Sequence, residues 1–168
     1  MLIDIIDSID QELVKESYLK IEKGITWIEY PNGKQAGLQY HPGSNPWEDA
    51  VGRMKPGQTW TDAEINPYFK GTYFEELITK YKLLRTRLLW LKPYSCYSMH
   101  RDDSTRIHVP IITNDRCFFV FRNNGLFNMP CGHVYHVNTL EEHSAMNCST
   151  EWRLHLLGGV GSNSNYIK

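Results

Sequence analysis

Residues 85–160 are made of short apolar runs set close together. They read TRLLWLKP, CYSMH, RIHVPIIT, RCFFVFR, LFNMP, HVYHV and EWRLHLLGGV. Between them stand NDR, RNNG, PCGH and NTLEEH. These separators favour turns, because Asn, Asp and Gly tolerate left-handed backbone and bond their own main chain. The runs are too short for ordinary helices and rich in residues that suit a pleated surface, so they read as strands. Short strands at close spacing with Asn/Gly turns indicate an antiparallel sandwich or barrel.

The first 84 residues read differently. DQELVKESYLKIEKG has Leu13, Val14, Tyr18 and Ile21 close to the helical period, and Gly24 where a helix would stop. TWIEYPNGKQAGLQY predicts a hairpin around Asn32-Gly33. Residues 41–62 are rich in Gly, Pro and Trp and read as a long ordered loop. TDAEINPYFKGTYFEELITKYKLL is expected to be helical in its second half, with Phe74, Leu77, Ile78 and Tyr81 on one face. The expected architecture is one domain over residues 1–168. Residues 1–84 form a helical and hairpin support, and residues 85–158 form a β core. The GSNSNYIK tail is expected to be mobile.

Composition narrows the function classes. At 168 residues with 41% hydrophobic and 22% charged content, the chain can bury a sizeable core. A formal net charge of −1 gives no broad attraction to nucleic acid or to an anionic membrane. The acidic start MLIDIIDSIDQELVK is neither a secretory signal nor a membrane span. A cytoplasmic protein is expected, with Cys96, Cys117, Cys131 and Cys148 as buried thiols. Trp27, Trp47, Trp60 and Trp90 read as packing residues.

The strands carry polar residues that a core should not hold. His100 and Asp102 are two apart, so on a strand they share a face and can reach one ion. His143 is the leading third ligand, just before another strand region. His133 and His136 are alternatives, but they lie three apart in HVYHV, so at most one points inward. Two histidines and a carboxylate on one face of an ion leave three positions open and suit Fe(II). The absence of cysteine from the set argues against structural zinc. Arg153, ten residues after His143, sits in the apolar strand EWRLHLL. A buried arginine is costly unless paired with an anion, and its fork matches a carboxylate. Arg106 and His108 form a second polar i, i+2 pair, and Arg106 can equally be an internal ion-pair partner.

An H-x-D, a distant His and an Arg ten residues later resemble the 2-oxoglutarate/Fe(II)-dependent dioxygenases. RIHVPIITN and GHVYHVNTLEEHSAMN resemble, more narrowly, the aspartyl/asparaginyl β-hydroxylase family, including its free-proline hydroxylase branch. The resemblance covers about residues 85–158. It implies a mainly β chain with N-terminal helices, built on a double-stranded β-helix (jelly-roll, cupin-like) fold. It implies Fe(II), with 2-oxoglutarate and O2 as cosubstrates, and an amino acid, peptide or protein side chain as substrate. By position, His100, Asp102 and His143 match the iron ligands, and Arg153 matches the arginine that binds the far carboxylate of 2-oxoglutarate. Arg106 and His108 match an R-x-H pair that helps hold that cosubstrate. His155 stands where many such enzymes carry Ser or Thr. Animal aspartyl/asparaginyl hydroxylases have glycine at the position of Asp102, so an aspartate here lies nearer the proline-hydroxylase branch. The alternatives are a non-catalytic jelly-roll binding module, a cupin-like metal protein that uses no 2-oxoglutarate, and a zinc hydrolase.

Overall fold

A computed structural model describes residues 1–161. The expectation for the GSNSNYIK tail therefore lies, from Ser162 onward, outside the described residues. Asp10 caps the first helix, α1 (Gln11–Ile21). Its carboxylate accepts the N–H groups of Glu12 and Leu13 at 2.9 and 3.2 Å, satisfying donors that the first turn leaves free. Val14 and Tyr18 are buried, while Leu13 is 43% exposed. The inward stripe of so short a helix is narrow and follows Val14, Tyr18 and Ile21. The second helix, α2 (Tyr73–Tyr81), buries Phe74, Leu77, Ile78 and Tyr81 as expected and ends on left-handed Lys82.

The predicted hairpin is present as β2 (Ile28–Tyr30) and β3 (Gly33–Gly37). Its turn is Pro31-Asn32, because Tyr30 pairs with Gly33. Gly33 is glycine for a different reason: a Cβ there would lie 1.8 Å from the carbonyl oxygen of Trp90. The strand β6 (Leu83–Leu91) runs against β3 at this point.

Residues 1–84 do more than support a β core. The main sheet has seven antiparallel strands in the order β1-β11-β8-β13-β6-β3-β2. Here β1 is Ile3–Ser8, β8 is Arg106–Ile112, β11 is His133–Val137 and β13 is Arg153–Val160. Three of its strands therefore come from the N-terminal part. The acidic IDIIDS of β1 carries no clean period-two pattern, which hides it in the sequence. A second sheet has the order β10-β9-β12-β7. It consists of β7 (Ser95–Cys96), β9 (Cys117–Phe121), β10 (Gly125–Asn128) and β12 (His143–Asn147). A small ladder of β4 (Gln39–Tyr40) and β5 (Glu64–Ile65) flanks the long loop. Together these make a mainly β jelly roll with N-terminal helices.

The period-two alternation of the main sheet decides what lies inside. Ile107, Val109, Leu154, Leu156, Leu88 and Ala36 pack with Val14, Tyr18, Phe74 and Leu77 in the outer core under the helices. The alternate positions face the smaller sheet. There Leu89, Leu91 and Leu157 meet Tyr97 and Ala145, and Tyr135 and Val137 meet Phe119 and Phe121. Arg106, His108, Arg153 and His155 fall on this same inner face, in phase with the residues of the second set. All four cysteines are free. Only Cys117 fits the expectation of buried thiols; Cys96 and Cys148 are exposed.

Candidate metal centre

Asp102 and Asp103-Ser104 favour a turn, and the backbone obeys. His100 does not lie in a strand. It forms an isolated antiparallel bridge with His143, with backbone N–H···O bonds of 3.0 and 2.8 Å in the two directions. The Asp102 N–H then donates to the Thr139 carbonyl at 2.8 Å. The strand geometry expected for His100 and Asp102 is thus replaced by a loop pinned at two points. His143 opens β12 rather than preceding it.

The two rings are oriented by the main chain. His100 Nδ1 lies 2.7 Å from the Ser98 carbonyl oxygen, and His143 Nδ1 lies 2.9 Å from that of Glu141. A carbonyl can only accept, so each Nδ1 carries a proton, and Nε2 is the nitrogen left to meet a metal. Both Nε2 atoms face one carboxylate. His100 Nε2 is 3.9 Å from Asp102 Oδ1, and His143 Nε2 is 4.0 Å from Asp102 Oδ2. One ligand atom from each of the three residues lies within 4.8 Å of the others. Ligand atoms on one face of an ion with bonds of about 2.1 Å lie about 3 Å apart, so the three side chains would draw together by about 1 Å to hold it. Burial pushes His143 below its ordinary pKa, which keeps it neutral and able to ligate. Phe119 stacks on its ring at 4.9 Å and 15°. His133 and His136 are elsewhere: His133 Nδ1 is 3.3 Å from Ser8 Oγ, and His136 pairs with Asp4 and Ile107.

Arg106 touches the acids of this loop. Its Nε lies 3.1 Å from Asp102 Oδ2 and its terminal nitrogen 3.4 Å from Asp103 Oδ1, and it donates to Ser104 Oγ. The internal ion pair that the sequence allowed is therefore formed, and it restrains the Asp102 carboxylate.

A cavity of about 620 Å³ opens from the three residues into the space between the sheets. Arg106, His108 and Arg153 line it. His155 lies beside it, its ring against the Arg153 guanidinium. Arg153 Nε donates to His155 Nε2 at 3.1 Å, and a terminal nitrogen lies 2.9 Å from Nδ1. A neutral imidazole accepts at only one nitrogen, so part of the guanidinium edge stays available. Among the described residues no carboxylate pairs with Arg153. It is 2% exposed, and burial lowers its pKa to about 10. Burial first, and then the Arg153 charge, holds His155 and His108 well below their ordinary values. Both rings are neutral, and His108 Nδ1 has no hydrogen-bond partner.

Sequence reasoning missed Arg85, Arg87, Tyr97 and Phe119, all of which line the cavity. Arg87 carried a legible signal. It is an arginine inside the apolar run TRLLWL, the argument that singled out Arg153.

No protein-family model and no curated protein matches this chain. Solved structures do. An oxidoreductase of the 2OG-Fe(II) oxygenase family from Burkholderia pseudomallei superposes with a TM-score of 0.60 at 10% identity, over 89% of this chain and 81% of its own. A cupin domain from Bordetella pertussis Tohama I gives a TM-score of 0.41 at 16% identity, over 46% of this chain and 80% of its own. The Burkholderia protein and this chain share a jelly-roll fold. That fold and a His/Asp/His cluster define the class: a jelly-roll protein with a candidate metal centre on the wall of the cavity between its sheets. Among the described residues no helix is long and apolar enough to cross a membrane.

Proposed function

We propose that this chain is an Fe(II)- and 2-oxoglutarate-dependent hydroxylase acting on an amino acid, peptide or protein side chain. The observation that carries the reading is one cavity with two features. His100, Asp102 and His143 converge at one point of its wall, and a buried arginine without a carboxylate partner stands at another. A metal-only cupin needs the first feature and has no use for the second. The donor set, two imidazoles and a carboxylate without thiolate, fits Fe(II). The resemblance of the H-x-D, His and Arg spacing to the dioxygenases, and the fold shared with the Burkholderia oxidoreductase, support the same reading.

When bound, iron with 2-oxoglutarate and O2 supplies the oxidising power, and a substrate C–H becomes C–OH while 2-oxoglutarate becomes succinate and CO2. The protein's part is position and exclusion. His100, Asp102 and His143 hold the metal. Arg153 takes the far carboxylate of 2-oxoglutarate, and the His155 ring fixes the guanidinium plane. His108, neutral and with Nδ1 unpartnered, offers the cosubstrate a hydrogen bond. Arg106 holds Asp102 against the metal, and Phe119 screens His143 from water. By the same resemblance, the animal aspartyl/asparaginyl enzymes have glycine at the position of Asp102, which favours the proline-hydroxylase branch.

The test is succinate formation from 2-oxoglutarate by protein reconstituted with Fe(II) and ascorbate, screened over amino acids and peptides. The expected result is turnover that needs both O2 and Fe(II) and rises with one substrate class. Hydrolysis by a Zn(II) protein without O2, with no succinate under any condition, would contradict it.

A further inference from the structure

The cavity holds more positive charge than a single cosubstrate can use. Arg85 and Arg87 stand on β6, and both line it. Between Leu157 and Gly159 of β13 the register shifts, so that Arg87 faces Leu157 and Leu84 faces Gly159. This bulge places Arg85 at φ 52, a backbone conformation uncommon outside glycine. Arg85 is 6% exposed. Its terminal nitrogen donates to the Gly52 carbonyl at 2.6 Å, while its Nε is buried without a partner. The best contacts of Arg87 are the Ala50 and Arg85 carbonyls at 3.4 and 3.5 Å, and its Nε is also buried and unpartnered. Asp102 and Asp103, the acids whose charge bears on Arg85, are already engaged by Arg106. Among the described residues neither Arg85 nor Arg87 has a carboxylate partner. Arg53 and Lys55, on the loop segment that closes the same side, add to the positive field.

Two adjacent guanidiniums without a counterion are an arrangement that protein burial alone disfavours. Burial, with Arg85 and Arg106 nearby, lowers the Arg87 pKa to about 9. This pole is separate from Arg153. Arg153 pairs with Leu91 and Leu157 pairs with Arg87, so the two arginines are offset by four residues on neighbouring strands, about 13 Å along the strand direction.

We propose that Arg85 and Arg87 bind an oxyanion group of the primary substrate, so that the molecule hydroxylated is a small acid and not a neutral or cationic side chain. This rests on the preceding reading, in which 2-oxoglutarate occupies Arg153. A guanidinium fork fits carboxylate and phosphate alike, and two forks facing one cavity select against an uncharged amide.

The test follows the side-chain Nε–Hε NMR signals of Arg85, Arg87 and Arg153 while acetate, acetamide or inorganic phosphate is added to the full chain. It is run with no metal and again with Zn(II) and saturating 2-oxoglutarate. The expected result is a saturable shift of Arg85 and Arg87 with acetate and none with acetamide. 2-Oxoglutarate should move Arg153 and change the acetate Kd less than threefold. Arg87→Gln and, as a second variant, Arg85→Gln should each raise that Kd at least tenfold. Phosphate binding more tightly than acetate also supports the oxyanion site and indicates a phosphorylated substrate. Equal responses to acetate and acetamide, or abolition of the acetate response by 2-oxoglutarate, would overturn the proposal; the second result would make Arg87 the cosubstrate's clamp. An acetate response with no effect of 2-oxoglutarate on any arginine supports the oxyanion site and overturns the cosubstrate reading alone. The acetate and acetamide contrast in the unaltered protein stands even if a variant fails to fold.

Discussion

His100 and His143 each give one ring nitrogen to a backbone carbonyl, and that small feature decides what the pair can do. With Nδ1 tied to Ser98 and Glu141, the free Nε2 atoms turn toward Asp102. The same carbonyls hold the rings in the tautomer a metal needs before any metal arrives. His143 is the most buried of the three, at 4% exposure, so no water can easily replace its nitrogen. His143→Ala is expected to lower Fe(II) affinity by about 100-fold or more, beyond the range seen for residues that only support a ligand. His133→Ala and His136→Ala should leave it unchanged. Equilibrium dialysis with metal analysis checks this, and loss of iron in either control instead of in His143→Ala would remove His143 from the centre. At this scale Arg153 was legible because a charged residue in an apolar run needs a reason, whereas His100 and Asp102 stand in a polar turn and were legible through their spacing to His143 and Arg153. Arg87 carries the same signal in TRLLWL. Arg85 was not visible, because its orientation depends on a bulge that no local pattern announces.

The loop 41–62 is the element whose order is least local. His41 is its latch. Its Nδ1 lies 2.7 Å from Asp49 Oδ2, and its Nε2 lies 2.5 Å from the Thr59 carbonyl. Both partners are acceptors, so both contacts are hydrogen bonds only when the ring is protonated. The Thr59 carbonyl first, and then Asp49, raise the His41 pKa above its ordinary 6.5. Burial pushes Asp49 upward, but the hydrogen bonds from the His41 backbone and ring prevail and hold it below 3.8. The raised His41 pKa means that its contribution is complete below pH 6.5 and is lost as pH rises through the folded value. The depressed Asp49 pKa means that its contribution is complete above 3.8 and is lost only as pH falls through its folded value. The latch is therefore tightest between these limits and loosens as pH rises beyond 6.5. Arg53, exposed on this loop at the cavity wall, reports the loosening. Trypsin cleavage after Arg53, normalised to a free peptide, should rise with pH in the unaltered chain and be raised and flat in His41→Asn. A pH-independent rate in the unaltered chain would contradict the latch. The sequence identified the loop from its Gly, Pro and Trp content, but the pairing of His41 with Asp49 and Thr59 is a tertiary fact.

At the scale of the whole molecule, the β character of residues 85–160 was legible because turn residues separate the runs so regularly. The share of the N-terminal part was not. β1 is an acidic run, and its pairing with β11 spans most of the chain. β12 is HSAMN, whose composition does not favour a strand; its partners β9 and β7 supply the reason for its conformation. Once both sheets are in place, alternation along β8 and β13 sends Arg106, His108, Arg153 and His155 inward together, and β12 brings His143 to meet His100 across them. The central claim is that metal and cosubstrate share this interior, with Arg153 as the clamp for the far carboxylate. The direct measurement is an anaerobic titration of 2-oxoglutarate into the Fe(II) protein, following the metal-to-ligand charge-transfer band, in the unaltered chain and in Arg153→Ala. A buried charge-assisted contact is worth on the order of 2–5 kcal/mol, so the variant's Kd for 2-oxoglutarate should rise roughly 30-fold or more while its iron content is unchanged. An unchanged Kd in Arg153→Ala, or no band in the unaltered Fe(II) protein, would contradict the account.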